Sequence, residues 1–315
     1  MLEKLRDLLI DAGASAAGIA EACAVEEETR LFFKKWLQRG MHAGMSFMEN
    51  NMDVRFDPRL LLEGAKTIVS VAFNYRQPNP LAGKVATYAL GLDYHKVLRN
   101  RLEGVADELK SAAGGDYRIC IDSAPILERY WAEKAGVGSR SPHHGNIVVP
   151  GVGSMVFLAE IVATLEFDPA DYGKRLFPSV ALTESDSAGV RKYPCPTSAL
   201  GPNGVIDSRK CINYLTIEHH ADWSEDEKLL MSRSGACGSV FGCDLCQLSD
   251  PENHTAMPEI LPEFRFNEIL PEFLSSLKVE IDSDVPAKPL EGFSLRRSPL
   301  GRAGRRVLRR NIMPR

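Results

Sequence analysis

Five of the seven cysteines fall between Cys195 and Cys246, and this crowding constrains the chain more than any other feature. A stretch with so many thiols, short elements and several prolines folds around what it ligates rather than around a large apolar core. Cys243-Asp-Leu-Cys246 sets two sulfurs at one turn, and Cys195 opens the run Cys-Pro-Thr-Ser-Ala-Leu. A Cys-Pro that closes a cysteine run is a feature of bacterial ferredoxins, where that last cysteine ligates the other cluster. Cys195 is therefore expected to pair with distant cysteines, and Cys211, Cys243 and Cys246 complete a set for one iron–sulfur cluster. A structural four-cysteine zinc site has compatible spacing and stays open as the alternative. Cys237 reads as a non-ligand, with the option of replacing one of the four, and Cys23 and Cys120 stand alone.

The first residues, Met1-Leu-Glu-Lys-Leu-Arg-Asp-Leu-Leu, spell an amphipathic helix that carries acids, unlike a signal or transit peptide. No run approaches the roughly 18 apolar residues of a membrane helix. The expectation is a cytoplasmic monomer with no membrane partner, in which clustered cysteines bind metal instead of forming disulfides. The net charge is −4, yet residues 294–315 hold eight arginines and no acid, which leaves the remainder at −12. An acidic body with a basic tail suits a protein that meets a polyanion at one place. A solvated terminus is the other reading of that tail.

Three parts are expected. Residues 1–170 alternate helices with strands and predict an α/β or α+β core. Leu2, Leu5, Leu8 and Leu9 recur at helical spacing, a helix is predicted over 26–38, and a long amphipathic one from Asp93 to about Ala113. Asp57-Pro58 reads as an N-cap followed by proline at the first helical position. Strands are predicted at Thr67-Ile-Val-Ser-Val-Ala-Phe, Tyr117-Arg-Ile-Cys-Ile, Asn146-Ile-Val-Val and Met155-Val-Phe-Leu-Ala. Residues 171–255 form the cysteine-bearing module, and 256–315 a short helical C-terminal part with the basic tail. Asp122 lies between the strand 117–121 and a helix expected to start near Pro125. The end of a strand in such folds faces the ligand crevice, which suits a general acid; a helix N-cap is the plainer role. The two oppose each other, because a helix N-terminus lowers a carboxyl pKa whereas an acid near neutral pH needs it raised by desolvation.

These residues resemble the epoxyqueuosine reductase family. The resemblance runs through most of the chain and is carried by Gly40-Met-His-Ala-Gly-Met-Ser-Phe-Met-Glu-Asn, Asp57-Pro-Arg-Leu-Leu-Leu-Glu-Gly-Ala-Lys and Asp93-Tyr-His. Asp122-Ser-Ala-Pro-Ile-Leu-Glu-Arg-Tyr-Trp-Ala, Cys211-Ile-Asn-Tyr-Leu-Thr-Ile-Glu, Phe241-Gly-Cys-Asp-Leu-Cys-Gln and Leu308-Arg-Arg-Asn-Ile extend it. It implies a nitroreductase-like cobalamin-binding domain, a ferredoxin-like iron–sulfur module and a small helical C-terminal part. It also implies a chemistry in which two 4Fe–4S clusters pass electrons singly to cobalamin, an epoxide on the wobble base of tRNA is reduced, and an aspartate gives the proton that leads to loss of oxygen as water. That aspartate matches Asp122. Arg55, His95, Asn213 and Asp244 lie in motifs that look like corrin contacts, and Thr216 in the motif near the tRNA side. The arginine tail would meet RNA phosphates.

The chain departs from the family in two places. Where the family reads Cys-x-x-Cys-x-x-Cys-x-x-x-Cys-Pro, only Cys195 remains, behind Ser185, Ala188 and Arg191. The family's further cysteine after Cys-x-x-Cys is here Asp250, followed by Pro251. These four lost positions are the full ligand set of one cluster, so a single 4Fe–4S cluster is expected, fed by an external electron donor. The second departure is the loop Gly138-Ser-Arg-Ser-Pro-His-His-Gly-Asn, in which His143 and His144 read as solvated or as contacts for a substrate or a phosphate. The alternative to a reductase is a non-catalytic relative that binds cobalamin or tRNA without turnover.

Overall fold

The structure is a computed structural model and describes residues 1–177, 195–254, 260–275 and 310–311. Ser185, Ala188 and Arg191 lie outside the described residues, as does the arginine tail apart from Arg310. In chain order the main elements are α1 (Leu2–Asp11), β1 (Ala16–Glu21), α2 (Glu27–Gln38), α3 (Met52–Phe56), β2 (Thr67–Asn74), α4 (Tyr94–Ala113), β3 (Tyr117–Cys120), α5 (Glu128–Lys134), β4 (Ser139–Arg140), β5 (Ile147–Val148), β6 (Val156–Ala163) and α6 (Glu225–Arg233). No helix among the described residues is long and apolar enough to cross a membrane.

β1, β2, β6 and β3 form a sheet in that order, antiparallel throughout, with Ile68 opposite Val162 and Ile119 opposite Ile161. Of the two layouts expected, antiparallel pairing selects α+β. Its β-branched and aromatic residues suit a pleated surface, and all eight residues of β2 are buried, so both faces of the sheet are covered. α4 and α5 pack against the sheet and α1 against α4. α4 buries Leu98, Leu102, Val105 and Leu109 at helical spacing. Its first turn is capped by Asp93, whose carboxylate accepts the N–H of His95 at 3.1 Å. Asp57 caps the turn that follows α3 in the same way, accepting from Arg59 N–H.

Residues 173–176, at the start of the expected cysteine-bearing part, run along β1, where Gly173 N–H donates to Ile19 and Leu176 N–H to Ala17. The cysteine-bearing part is strapped to the body as well: Phe241 bridges to Val85 and packs with Leu90, Ile217 and Leu270.

α5 closes onto β1 at Gly18. A Cβ there would sit 1.8 Å from the Ala135 carbonyl oxygen, a backbone atom that cannot step aside. Gly18→Ala is expected to cost roughly 1–3 kcal/mol or more, the range for overpacking, read as a lowered urea midpoint with the slope unchanged.

Candidate functional site: a carboxyl hollow beside four thiols

Asp122 follows β3 but does not cap a helix. α5 begins at Glu128, not near Pro125, and Leu127 stands at its N-cap. Asp122 instead takes a left-handed backbone, φ +53°, on a loop that runs to residue 127. Its N–H donates to Glu128 Oε1 at 2.6 Å. The side chain is 61% exposed, so the carboxyl faces solvent in a shallow hollow only in the sense that Tyr94, His95, Glu128 and Arg129 stand around it.

Oδ2 of Asp122 accepts the Tyr94 hydroxyl at 2.8 Å and lies 3.2 Å from His95 Nε2. The other ring nitrogen of His95 is 2.9 Å from the buried Asp93 carboxylate. Desolvation works to raise the Asp122 pKa, but hydrogen bonds from His95 and Tyr94, with the positive charges of His95 and Arg129, hold it below the usual carboxylate value. For His95 the balance runs the other way. Burial opposes its charge, yet the hydrogen bonds and charges of Asp122 and Asp93 win and raise it to about 9. Glu128 is pushed up to about 8 by burial and by the charge of Asp122, so it is largely neutral at pH 7. Glu218 is also raised, by burial and by Asp122. Tyr94, Glu128, Arg129 and Glu218 thus complete the hollow. The sequence reading quoted their motifs without giving them roles. A separate groove between α4 and β3, of about 580 Å³, touches Ser123 to Pro125 of the same loop but excludes the Asp122 carboxyl.

The four thiols expected to act together are half-buried neighbours. Cys195 and Cys211 each bear on Cys243, and all three bear on Cys246, raising the pKa of each affected thiol. Burial is the larger cause, and it brings Cys243 and Cys246 to about 12. Cys211 receives the N–H groups of Asn213 and Tyr214, and Cys243 that of Leu245, which favour thiolates. Cys195 Sγ is 3.3 Å from the Thr197 hydroxyl. Four thiols so close can ionise together only against added positive charge, and iron or zinc supplies it. Among the described residues no three His, Cys, Asp or Glu side chains converge at the spacing of a single ion.

Aromatic rings connect the two sites. Tyr94, which grips Asp122, meets Tyr88 edge-on at 6.3 Å, and Tyr88 meets Phe241, two residues before Cys243, at 6.0 Å. Asn213 Oδ1 accepts Cys243 N–H at 2.8 Å, and Asp244 Oδ2 accepts both the N–H and the hydroxyl of Thr87 at 2.7 Å. These two residues tie the cysteine loop to its surroundings. Thr216 departs from expectation. Its side chain is fully buried, donating to the Ile212 carbonyl and accepting Gly242 N–H, so it faces no solvent from which RNA could reach it. Arg55 is buried on α3, over the Phe33 ring and donating to the Phe47 carbonyl, and joins neither network. Arg310 and Asn311 of the C-terminal motif bond carbonyls of residues 215–221 and 240, and Arg310 lies over Trp223. This arginine of the tail is thus engaged within the chain itself.

The two departures from the family meet in space. His144 is completely buried, contrary to the solvated reading, and its Nε2 lies 3.0 Å from Asp250 Oδ2. Its Nδ1 accepts Asn146 N–H at 3.2 Å, which assigns the ring proton to Nε2 as donor to Asp250. Ser141 Oγ adds a longer contact of 3.5 Å and Glu252 N–H donates at 3.0 Å. Burial works to raise the Asp250 carboxyl, but these donors and the histidine beside it hold it low. A carboxylate satisfied this way is not a free ligand, so position 250 does not fit a second cluster. His143 stays exposed.

The family profile described as epoxyqueuosine reductase QueG, DUF1730, matches residues 55–123. A protein of Leadbetterella byssophila named epoxyqueuosine reductase is 33% identical over 98% of this chain and 96% of its own length. A solved epoxyqueuosine reductase of Bacillus subtilis, with its catalytic aspartate loop swung out of the active site, superposes with a TM-score of 0.75 at 25% identity, covering 98% of this chain and 79% of that one. A crystal structure of epoxyqueuosine reductase with a modified tRNA-Tyr stem loop gives 0.76 at 24% identity over the same shares.

Removing His144 leaves Asp250 buried and charged without its ring N–H donor, with only the Glu252 N–H and the longer Ser141 contact remaining. His144→Ala is expected to cost roughly 3–5 kcal/mol in urea unfolding, and Asp250→Asn, which keeps an acceptor of the same shape, less. The depressed pKa of Asp250 contributes stability above the unfolded value of about 3.9, lost as pH falls through the lower folded value. Acid titration of stability is therefore expected to be shallower in Asp250→Asn than in the wild type.

Proposed function

Because the chain belongs to the epoxyqueuosine reductase family, we propose that it reduces epoxyqueuosine to queuosine at the wobble position of tRNA in the cytoplasm, with cobalamin and a single 4Fe–4S cluster. The observation that carries this reading is the open hollow in which Tyr94 and His95 hold the Asp122 carboxyl, one aromatic bridge away from four clustered thiols. A tRNA stem loop as partner is supported by the related reductase solved with one.

The residues divide the task. Cys195, Cys211, Cys243 and Cys246 would hold the cluster: neutral when empty, they could ionise together only against a cationic partner, and the N–H groups around Cys211 and Cys243 favour thiolates. When bound, cobalamin would supply the low-potential reducing chemistry, and a cluster on the four cysteines would supply single electrons from an external donor. Asp122 holds the proton for the departing oxygen. Glu128 fixes the Asp122 backbone, while Tyr94 and His95 orient its Oδ2 and leave Oδ1 without a partner among the described residues. In the open hollow the carboxyl is ionised; displacing water from it raises the pKa and gives Asp122 its acid character.

A relative that binds without turnover is the second reading, and the observation in its favour is Asp250, a carboxylate locked to His144 where the family has a cluster ligand. Turnover separates the two. A strain lacking the reductase should regain queuosine in its tRNA nucleosides when this chain is expressed, whereas persistent epoxyqueuosine with folded protein rejects the reductase. Asp122→Asn is expected to lower the rate by about 10²–10⁴, the usual worth of a general acid. Anaerobic reconstitution should give about four irons and four sulfides per chain, falling on Cys211→Ser; about eight irons, or none, rejects the single cluster.

A further inference from the structure

Loss of an epoxide oxygen as water consumes two electrons and two protons: both C–O bonds break and two O–H bonds form. A single carboxyl carries one proton at a time. If the proposed reduction holds, Asp122 must therefore be reloaded within each turnover, and a neighbour with a transferable proton must face its carboxylate.

Among the described residues three groups qualify by position, and geometry chooses between them. Glu128 reaches the N–H of Asp122, not its carboxylate. Tyr94 does reach Oδ2, but burial and the adjacent Asp122 charge drive its pKa far upward, so the phenol keeps its proton. His95 remains. Its ring lies between two carboxylates, with Nδ1 2.9 Å from Asp93 Oδ1 and Nε2 3.2 Å from Asp122 Oδ2. A neutral imidazole has one N–H and one lone pair. Either tautomer would point that lone pair at a carboxylate oxygen, so only the imidazolium satisfies both contacts. The arrangement is rigid. Asp93 is 1% exposed and is tied to the start of α4 through His95 N–H, and Tyr94 stacks on the ring with centroids 4.0 Å apart. The charged and titratable groups around the pair are Asp93, Asp122, Tyr94, Glu128, Arg129 and Glu218.

We propose that His95 is the second proton carrier of the reaction, passing its Nε2 proton to Oδ2 of Asp122 as Asp122 gives up a proton from Oδ1 to the substrate oxygen. This rests on the reductase reading above. In the step, the His95 Nε2–H bond breaks and an Asp122 O–H bond forms. The imidazolium becomes a neutral imidazole whose remaining N–H stays on Asp93, and no electrons move. Solvent at the partly open edge of the ring, 21% exposed, returns the proton. His95 acts through Asp122 and need not touch the substrate.

Two measurements on the full chain test the relay. In nitrogen-15 NMR of histidine-labelled protein, without turnover, His95 should be doubly protonated at about pH 7.5, against an ordinary histidine value of about 6.5, and should titrate near 9. Asp122→Asn should move that midpoint down. A neutral His95 ring at about pH 7.5 overturns the proposal. In the reconstituted enzyme, His95→Ala should lower kcat by roughly 10²-fold or more with KM for tRNA unchanged, and added imidazole should restore the rate in proportion to its protonated fraction. His95→Gln, which keeps an N–H donor toward Asp122 but has no proton to transfer, should be as slow. Wild-type turnover with an active His95→Gln, or with His95→Ala that imidazole does not rescue, overturns the relay alone. Wild-type protein that folds, loads and does not reduce tRNA overturns the reductase reading and the relay with it.

Discussion

The N–H of Asp122 donates to Glu128 Oε1 at 2.6 Å, and this contact holds a left-handed aspartate in place. Aspartate tolerates that backbone better than most residues, yet it remains an uncommon conformation for any side chain with a Cβ. Glu128 is the first residue of α5, and α5 is wedged against the sheet by Trp131 and by the close approach of Ala135 to Gly18. The position of the Asp122 carboxyl is thus inherited from the core. Sheet packing sets the start of α5, Glu128 sets the turn, and the turn presents Oδ2 to Tyr94 and His95.

The elements were legible where periodicity was strong. α2 and α4 and the strands β2 and β6 fall within a few residues of their expected places: α4 writes one buried face into the sequence at helical spacing, and β2, buried on both faces, an unbroken apolar run. The start of α5 was misjudged because Asp122-Ser-Ala-Pro mimics a cap followed by proline. The structure spends those residues on a loop, and nothing local distinguishes the two uses. The antiparallel strand order was not legible, since pairing joins β2 to β6 across more than eighty intervening residues. Within the site, the identities of Asp122, His95 and the four cysteines could be read from motifs, but their partners could not. Tyr94 lies in the same three-residue motif as His95, yet only the fold brings its hydroxyl to Asp122 across 28 residues of sequence.

His143 and His144 teach the same lesson more sharply. Two adjacent loop histidines look equivalent in sequence; here one is exposed and the other is wholly buried. What decides between them is Asp250, 106 residues away. A buried carboxylate needs donors, and the loop supplies a ring N–H and a serine hydroxyl. The two departures from the family, each puzzling alone, form one contact. A position where the resemblance implies a metal ligand serves here as an acceptor that joins the end of the cysteine-bearing part to the body.

The same logic orders the carboxyl groups around the hollow by depth. Glu160 lies in the middle of the sheet, fully buried, and burial raises its pKa far above the ordinary value. Glu128, bearing on it from α5, is raised to about 8, and Asp122 at the open end is held low. Burial thus disfavours charge on the two inner carboxyls, whereas the neighbours of the outermost, Asp122, favour its anion. Were Glu128 ionised as well, two like charges would adjoin the hollow and each would raise the other's pKa. With Glu128 largely neutral, Asp122 is the anion that faces both His95 and Arg129, while Asp93 holds the far side of the His95 ring, and the proton affinity of the Asp122 carboxyl depends on how much water surrounds it.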